Sequence, residues 1–96
     1  NNNVIEYAVK LAARTRPNTE HADKISNQYL NWGAGPRASQ YLVLAAKTQA
    51  VLNSKYSPDI EDIKSVAAPI LRHRIIRNYK AEAEGIGIED IISELL

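Results

Sequence analysis

Residues 33–76 read GAGPRASQYLVLAAKTQAVLNSKYSPDIEDIKSVAAPILRHRII, and this stretch decides the fold. Pro36 fixes its own φ and lacks an N–H, so it suits the first position of a helix, with Gly35 at the cap. From Pro36 to about Asn53 nothing breaks the helical pattern. Ala38, Tyr41, Leu42, Ala45, Gln49 and Leu52 share a face, and Leu44 and Val51 widen it. So wide a stripe predicts the central helix of a small bundle. Ser57-Pro58-Asp59 then supplies a cap, a proline at the first helical position and an acid in the first turn. The helix it opens carries Ile60, Ile63, Val66 and Ala67 and is expected to reach Pro69. A helical turn through Ile70 and Leu71 leads into the basic run Arg72-His73-Arg74-Ile75-Ile76-Arg77.

Upstream, Val4, Tyr7, Ala8, Leu11 and Ala12 fall on one helical face, so a helix is expected over about Asn3 to Arg16, ended by Pro17. Residues 17–35 read as a loop, then a short helical turn or one extended piece that tucks Tyr29 and Trp32 against the core. Downstream, Tyr79 to Glu84 reads as another helical turn stopped by Gly85. A last helix runs from about Ile88, with Ile88, Ile91, Ile92 and Leu95 on one face. No period-2 run of useful length occurs, and Ile75-Ile76 is at most a strand fragment. The expected fold is mainly all-α: a compact bundle of four to five helices with short connections and no more than one very short strand pair.

Composition narrows the function. At 96 residues, the chain is one domain, too small for a two-lobed enzyme with an enclosed cleft. It has no cysteine, which removes disulfides, thiolate zinc sites and a cysteine nucleophile. Its two histidines, His21 and His73, are too few for a histidine metal site, and no metal is expected. A formal net charge of +1 is too balanced for a nucleic-acid module. No apolar run approaches the roughly 20 residues of a membrane span, and no signal-peptide pattern opens the chain. The chain starts at Asn1-Asn2-Asn3 with no methionine, so it is expected to be a piece of something longer. Charge is uneven: residues 1–77 carry 11 Lys/Arg against 6 Asp/Glu (+5), and residues 78–96 carry 1 against 5 (−4). The acidic tail is therefore expected to fold back on the basic body.

Arg37 stands out. It falls in the first turn of the long helix, where a cation faces the positive end of the helix dipole at a cost of a few tenths to about 1 kcal/mol. Asp59 and Glu89 show the usual choice at the later helix starts. An arginine there becomes favourable when an anion docks, because the anion gains both the dipole and a guanidinium contact. Glycines before the proline would let backbone approach closely. A solvated Arg37, or one paired with a carboxylate, is the plainer alternative. The segment is no phosphate-cradling loop, since no Gly-Lys-Ser/Thr follows it.

Taken together, Gly33-Ala34-Gly35-Pro36-Arg37-Ala38-Ser39, the helix YLVLAAKTQAVLNSKY and SPDIEDIKSVAAPILRHRII resemble the C-terminal lid domain of MoxR-type AAA+ ATPases. That family usually has Gly-Ala-Ser-Pro-Arg-Ala, then a Thr-Pro-Glu-Asp helix start, then Pro-x-Leu-Arg-His-Arg. YAVKLAARTRPN fits the helix that begins such a lid. The resemblance spans about Val4 to Leu96 and implies that residues 1–96 are a single lid domain of a longer ATPase. It departs at Gly35, where the family usually has serine, and at Ser57, where it has threonine.

The resemblance further implies that Arg37 is the sensor 2 residue, reaching with Pro36 and Gly35 toward the γ-phosphate of ATP held elsewhere. ATP and Mg²⁺ would belong to the parent protein, and the fragment alone is not expected to hydrolyse ATP. Implied partners are the AAA+ core of the same chain, the neighbouring subunits of a hexameric ring, and client proteins in chaperone-like assembly; nucleic acid and membrane are not among them. The implied compartment is the cytoplasm.

Other clusters read more plainly. Arg72, His73 and Arg74 are expected to complement a helix C-terminus, with contact to the core or to a neighbouring subunit as the functional reading. His73 reads as a structural, partner-bonded histidine. Arg14 and Arg16 end the first helix, where cations are favourable. Glu82, Glu84, Glu89, Asp90 and Glu94 read as a solvated face. The alternative function is a stand-alone helical protein-interaction module of histone-fold-like type, with the stripe over residues 38–52 partly a partner surface.

Overall fold

The structure is a computed structural model that describes residues 2–96; Asn1 lies outside the described residues. In chain order it comprises α1 (Asn2–Arg14), α2 (Lys24–Tyr29), β1 (Leu30–Trp32), α3 (Arg37–Leu52), α4 (Ile60–Leu71), β2 (Ile76–Arg77), α5 (Tyr79–Glu84) and α6 (Ile88–Leu95). The expected small helical bundle with one very short strand pair is what forms. β1 and β2 pair antiparallel, Leu30 opposite Arg77 and Trp32 opposite Ile76, with an irregularity between. No helix among the described residues is long and apolar enough to cross a membrane.

α3 lies between α1 and α4 and packs most extensively on α4. Val4, Ala8, Leu11 and Ala12 of α1 are buried, as their spacing predicts. So are Ile91, Ile92 and Leu95 of α6. The stripe on α3 differs from expectation. Its buried line is Ala38, Leu42, Ala46 and Ala50, whereas Leu44, Val51 and Leu52 are 62%, 71% and 73% exposed. Three alanines and one leucine at a spacing of four make a low ridge where α1 and α4 can approach closely, and the larger apolar residues Leu44, Val51 and Leu52 are turned outward.

Helix ends show how local chemistry sets the boundaries. Ser57 was the expected cap of α4, but Asp59 takes that place. Asp59 Oδ1 accepts from the Asp62 N–H at 3.1 Å, and the Asp59 N–H donates to Asp62 Oδ2 at 2.9 Å. This reciprocal pair satisfies two donors, where Ser57 could have satisfied only one. Lys55 Nζ sits 2.6 Å from Asp62 and 3.1 Å from Asp59, tying the α3–α4 connection to the cap. α4 also continues past Pro69 to Leu71. Pro69 is exposed and only two residues remain, so the missing N–H falls where water can serve the carbonyl a turn earlier. Asn78 caps α5 through the Ala81 N–H at 2.9 Å, and left-handed Gly85 (φ 72°) stops it as expected.

The end of α1 is where the fold is tied together. Thr15 is buried; its hydroxyl donates to the Ala12 carbonyl (2.6 Å) and accepts from the Ala34 N–H (2.8 Å). Arg16 Nε donates to the Ala34 carbonyl at 2.7 Å. The Arg14 carbonyl accepts from the Asp23 N–H and from the buried Ser26 hydroxyl, at 3.0 and 2.6 Å. For this clamp to close, Gly33 must lie against α1. A Cβ on Gly33 would stand 2.4 Å from Arg16 Cα and 2.4 Å from the Thr15 carbonyl oxygen. Gly35 is different: a Cβ there meets nothing within 4 Å, so close approach explains only the first of the two glycines.

The expected fold-back of the acidic tail also forms. Arg72 holds Glu89 in a bidentate pair, with Nη2 at 2.7 Å and Nε at 3.1 Å. Arg14 Nη2 reaches the Leu95 carbonyl at 2.7 Å.

Two outcomes are expected. Gly33→Ala destabilises by about 1–3 kcal/mol, because backbone rather than a flexible side chain must move. Gly35→Ala stays within about 0.5 kcal/mol, and urea denaturation of the two variants checks the contrast. Hydrogen bonds from Lys55 and from Arg72 hold Asp59 and Glu89, respectively, below the ordinary carboxylate range. The unfolded chain therefore binds those protons more tightly, and stability present at neutral pH is lost as pH falls through the carboxylate range. Thermal melts between about pH 7 and pH 3 should show that loss, and it should be shallower in a Lys55→Met/Arg72→Met double variant.

Candidate functional site

α3 begins where the clamp ends. Ala34 is buried and fixed at both its N–H and its carbonyl, Gly35 and Pro36 turn outward, and Arg37 opens the helix. Pro36 occupies the cap position in helical conformation (φ −59°, ψ −29°) and offers no side-chain cap. The Ala38 N–H is taken by the Gly35 carbonyl at 3.0 Å. The first turn holds no acidic residue. The positive pole of the α3 dipole is thus met neither by a capping oxygen nor by a carboxylate, and a cation stands on it.

The surroundings of the arginines separate Arg37 from the rest. The chain has six: Arg14, Arg16, Arg37, Arg72, Arg74 and Arg77. Arg14 and Arg16 bond the carbonyls of Leu95 and Ala34, as expected of structural residues. Arg72 pairs with Glu89. Arg74 donates to the Ile70 carbonyl at 3.0 Å and lies 4.5 Å from the centre of the Tyr41 ring. Arg77 donates to the Ile86 carbonyl at 2.8 Å. Arg37 is exposed and is the one arginine with no hydrogen bond, ion pair or ring contact among the described residues.

The other expected residues scatter. Tyr29 is half-buried; its hydroxyl donates to Glu84 Oε1 at 2.8 Å, which pushes the phenol above its usual range. Trp32, expected in the core, is 67% exposed. The irregularity between Leu30 and Trp32 breaks the alternation of β1: Leu30 points inward, and Trp32 stands opposite the exposed Ile76. His73 is exposed and has no partner among the described residues, contrary to the expected partner-bonded histidine. No group of three or more His, Cys, Asp or Glu able to hold a metal occurs among the described residues. An open groove of about 480 Å³ lies beside the start of α3, lined by Arg16, Asn18, Trp32 and the Gly33–Pro36 segment.

Sequence reasoning passed over Thr15, one of the pair that positions Arg37; it expected close backbone approach at the glycines before Pro36, which holds for Gly33, the other member. Thr15 had a usable signal: it continues the α1 stripe of Val4, Ala8, Leu11 and Ala12, so its hydroxyl had to be buried. For Gly33 the sequence did not say what it would approach, because Thr15 and Arg16 lie far away in the chain.

Known proteins place this geometry. The family model for the AAA lid domain matches residues 22–95. The chaperone MoxR1 of Mycobacterium tuberculosis is 28% identical over 93 residues, covering 97% of this chain and 25% of MoxR1. The uncharacterised protein YeaC of Bacillus subtilis is 31% identical over 91 residues, covering 95% of this chain and 26% of YeaC. The crystal structure of a candidate ATPase from Cytophaga hutchinsonii superposes with a TM-score of 0.89 at 39% identity, over 99% of this chain and 29% of that one. The chain thus spans about a quarter of the length of the curated relatives it matches. It belongs to the AAA lid domain family, as the lid of a MoxR-like AAA+ ATPase.

Proposed function

We propose that this chain is the nucleotide-sensing lid of its ATPase and that Arg37 is the sensor 2 arginine. The observation that carries this is the unpartnered guanidinium at an uncapped helix start, in a chain whose other arginines are all engaged. A cation on the positive pole is disfavoured until an anion joins it. A phosphate oxygen there would accept from the guanidinium and meet the dipole of α3.

The chain's own residues fit only that part of a nucleotide site. They offer a cation, with Pro36 and Gly35 shaping its base, but no phosphate-cradling loop. ATP and Mg²⁺ would be held by the AAA+ core of the same polypeptide. Arg37 would then stabilise charge on the γ-phosphate as the bond to it breaks. The contact would hold the lid closed, and losing it after hydrolysis would let the lid relax. Because Ala34 is fixed to the end of α1, a pull on Arg37 would move the whole helical domain.

The chaperone named among the relatives supports a parent that assembles or activates client proteins; a ring of subunits and the cytoplasm as compartment rest on the family resemblance alone. Arg72 and Arg74 already serve bonds inside the domain, so of the basic run the exposed His73 is the residue left to meet a core or a neighbouring subunit.

Arg37→Ala should leave the stability of the 96-residue chain within about 0.5 kcal/mol of the original, since no internal contact is lost. In the full-length ATPase the same change should lower ATP turnover by roughly 10²-fold, the scale of removing one preorganised donor. Steady-state phosphate release measures it, and turnover equal to the unsubstituted enzyme rejects the sensor role. The 96-residue chain alone should release no phosphate from ATP.

A further inference from the structure

The second half of α1 carries a basic cluster of its own. Lys10 and Arg14 are four residues apart and so share a helix face, where two like charges repel. With Val9, Ala13 and His21 they line an open groove of about 380 Å³. Lys10 and His21 are exposed, and Val9 is half exposed. No carboxylate among the described residues lines this groove, although Glu6 and Glu20 are close in sequence. Lys10 and His21 make no hydrogen bond, ion pair or ring contact among the described residues. Arg14 makes a single hydrogen bond, from Nη2 to the Leu95 carbonyl, and its Nε is buried without an acceptor. An unmet donor on a charged group inside a protein is costly, so the groove holds a standing demand for an anion.

We propose that this groove binds an acidic segment of a partner protein, through a carboxylate side chain that has an aliphatic neighbour. The carboxylate would accept from Lys10 Nζ, from the Arg14 guanidinium and from the His21 ring, and it would turn the repulsion between Lys10 and Arg14 into attraction for a shared anion. A guanidinium has five N–H donors in a planar fork, and Leu95 occupies one side of it, so Arg14 can meet a carboxylate while still holding α6. The aliphatic neighbour would cover Val9 and Ala13. The groove is at the small end of ligand-holding clefts, which suits a short stretch of chain rather than a folded face. Nucleic acid fits less well: phosphates would leave Val9 and Ala13 unmatched, and no aromatic side chain among the described residues lines the groove for a base to stack on. The proposal does not depend on the sensor reading, since no residue of α3 lines this groove.

The test uses the full-length ATPase and a fluorescein-labelled peptide of alternating glutamate and leucine, with its glutamine counterpart as the uncharged control, followed by fluorescence anisotropy. Lys10→Gln/His21→Gln removes two exposed side chains that hold nothing inside the domain, so the fold is kept. The glutamate peptide should bind at least about tenfold more tightly than the glutamine peptide, and the double variant should lose that difference. Arg37→Ala should bind the glutamate peptide as the unsubstituted protein does. No binding of the glutamate peptide to the unsubstituted ATPase overturns the proposal, as when another part of the assembly already fills the groove. So does an affinity unchanged in the double variant. Tighter binding of a thymidine oligonucleotide, abolished by the double variant, assigns the groove to nucleic acid and overturns it too. Loss of peptide binding in Arg37→Ala does the same, because the peptide would then be held at the phosphate site.

Discussion

The structure depends on the contact between the end of α1 and the chain just before α3. Thr15 and Arg16 hold both polar backbone groups of Ala34, and Gly33 lets the two backbones touch. These bonds join residues 18 and 19 apart in sequence and sit in or beside the core, where an unmet N–H or carbonyl would cost about 1–3 kcal/mol. They do two things at once. They satisfy backbone that leaves a helix and enters a buried turn. They also fix where α3 starts, and hence where Arg37 stands.

From that start, the work of the basic residues divides cleanly. Five arginines bond carbonyls, a carboxylate or an aromatic face inside the domain. Those bonds tie α6 to α1 and to the end of α4, and they close the acidic C-terminal segment onto the rest. The sixth, Arg37, contributes nothing to this framework. A side chain kept outside all internal bonding can be given to a ligand without loosening the protein that carries it.

Much of this was legible in the sequence where periodicity and local chemistry agree. The apolar faces of α1 and α6 lie where their spacing puts them, and Gly85 ends α5. Arg37 was legible too, because a cation at a helix start contradicts a local electrostatic rule. The α3 stripe was not. Counting large apolar residues pointed to Leu44, Val51 and Leu52, but close approach of helices selects small ones, and Ala46 and Ala50 are inside. The cap of α4 moved from Ser57 to Asp59 because Lys55 and Asp62 reinforce it, a cooperation that single-position preferences do not register. Trp32 shows the same limit. Its size argued for burial, and a regular strand would put it on the same face as Leu30, but the irregularity between Leu30 and Trp32 breaks that alternation and leaves Trp32 outside.

The bond from Arg14 to the carbonyl of Leu95 spans 81 positions of sequence. Contacts that distant are the last a growing polypeptide can make. On the ribosome, α1, α3 and α4 can assemble while α6 is still in the exit tunnel, leaving Leu11, Leu71 and their neighbours without the cover of Ile91, Ile92 and Leu95. Until α6 is in place, the core lacks the three buried side chains Ile91, Ile92 and Leu95. The final helix is then a latch on folding as well as a part of the core.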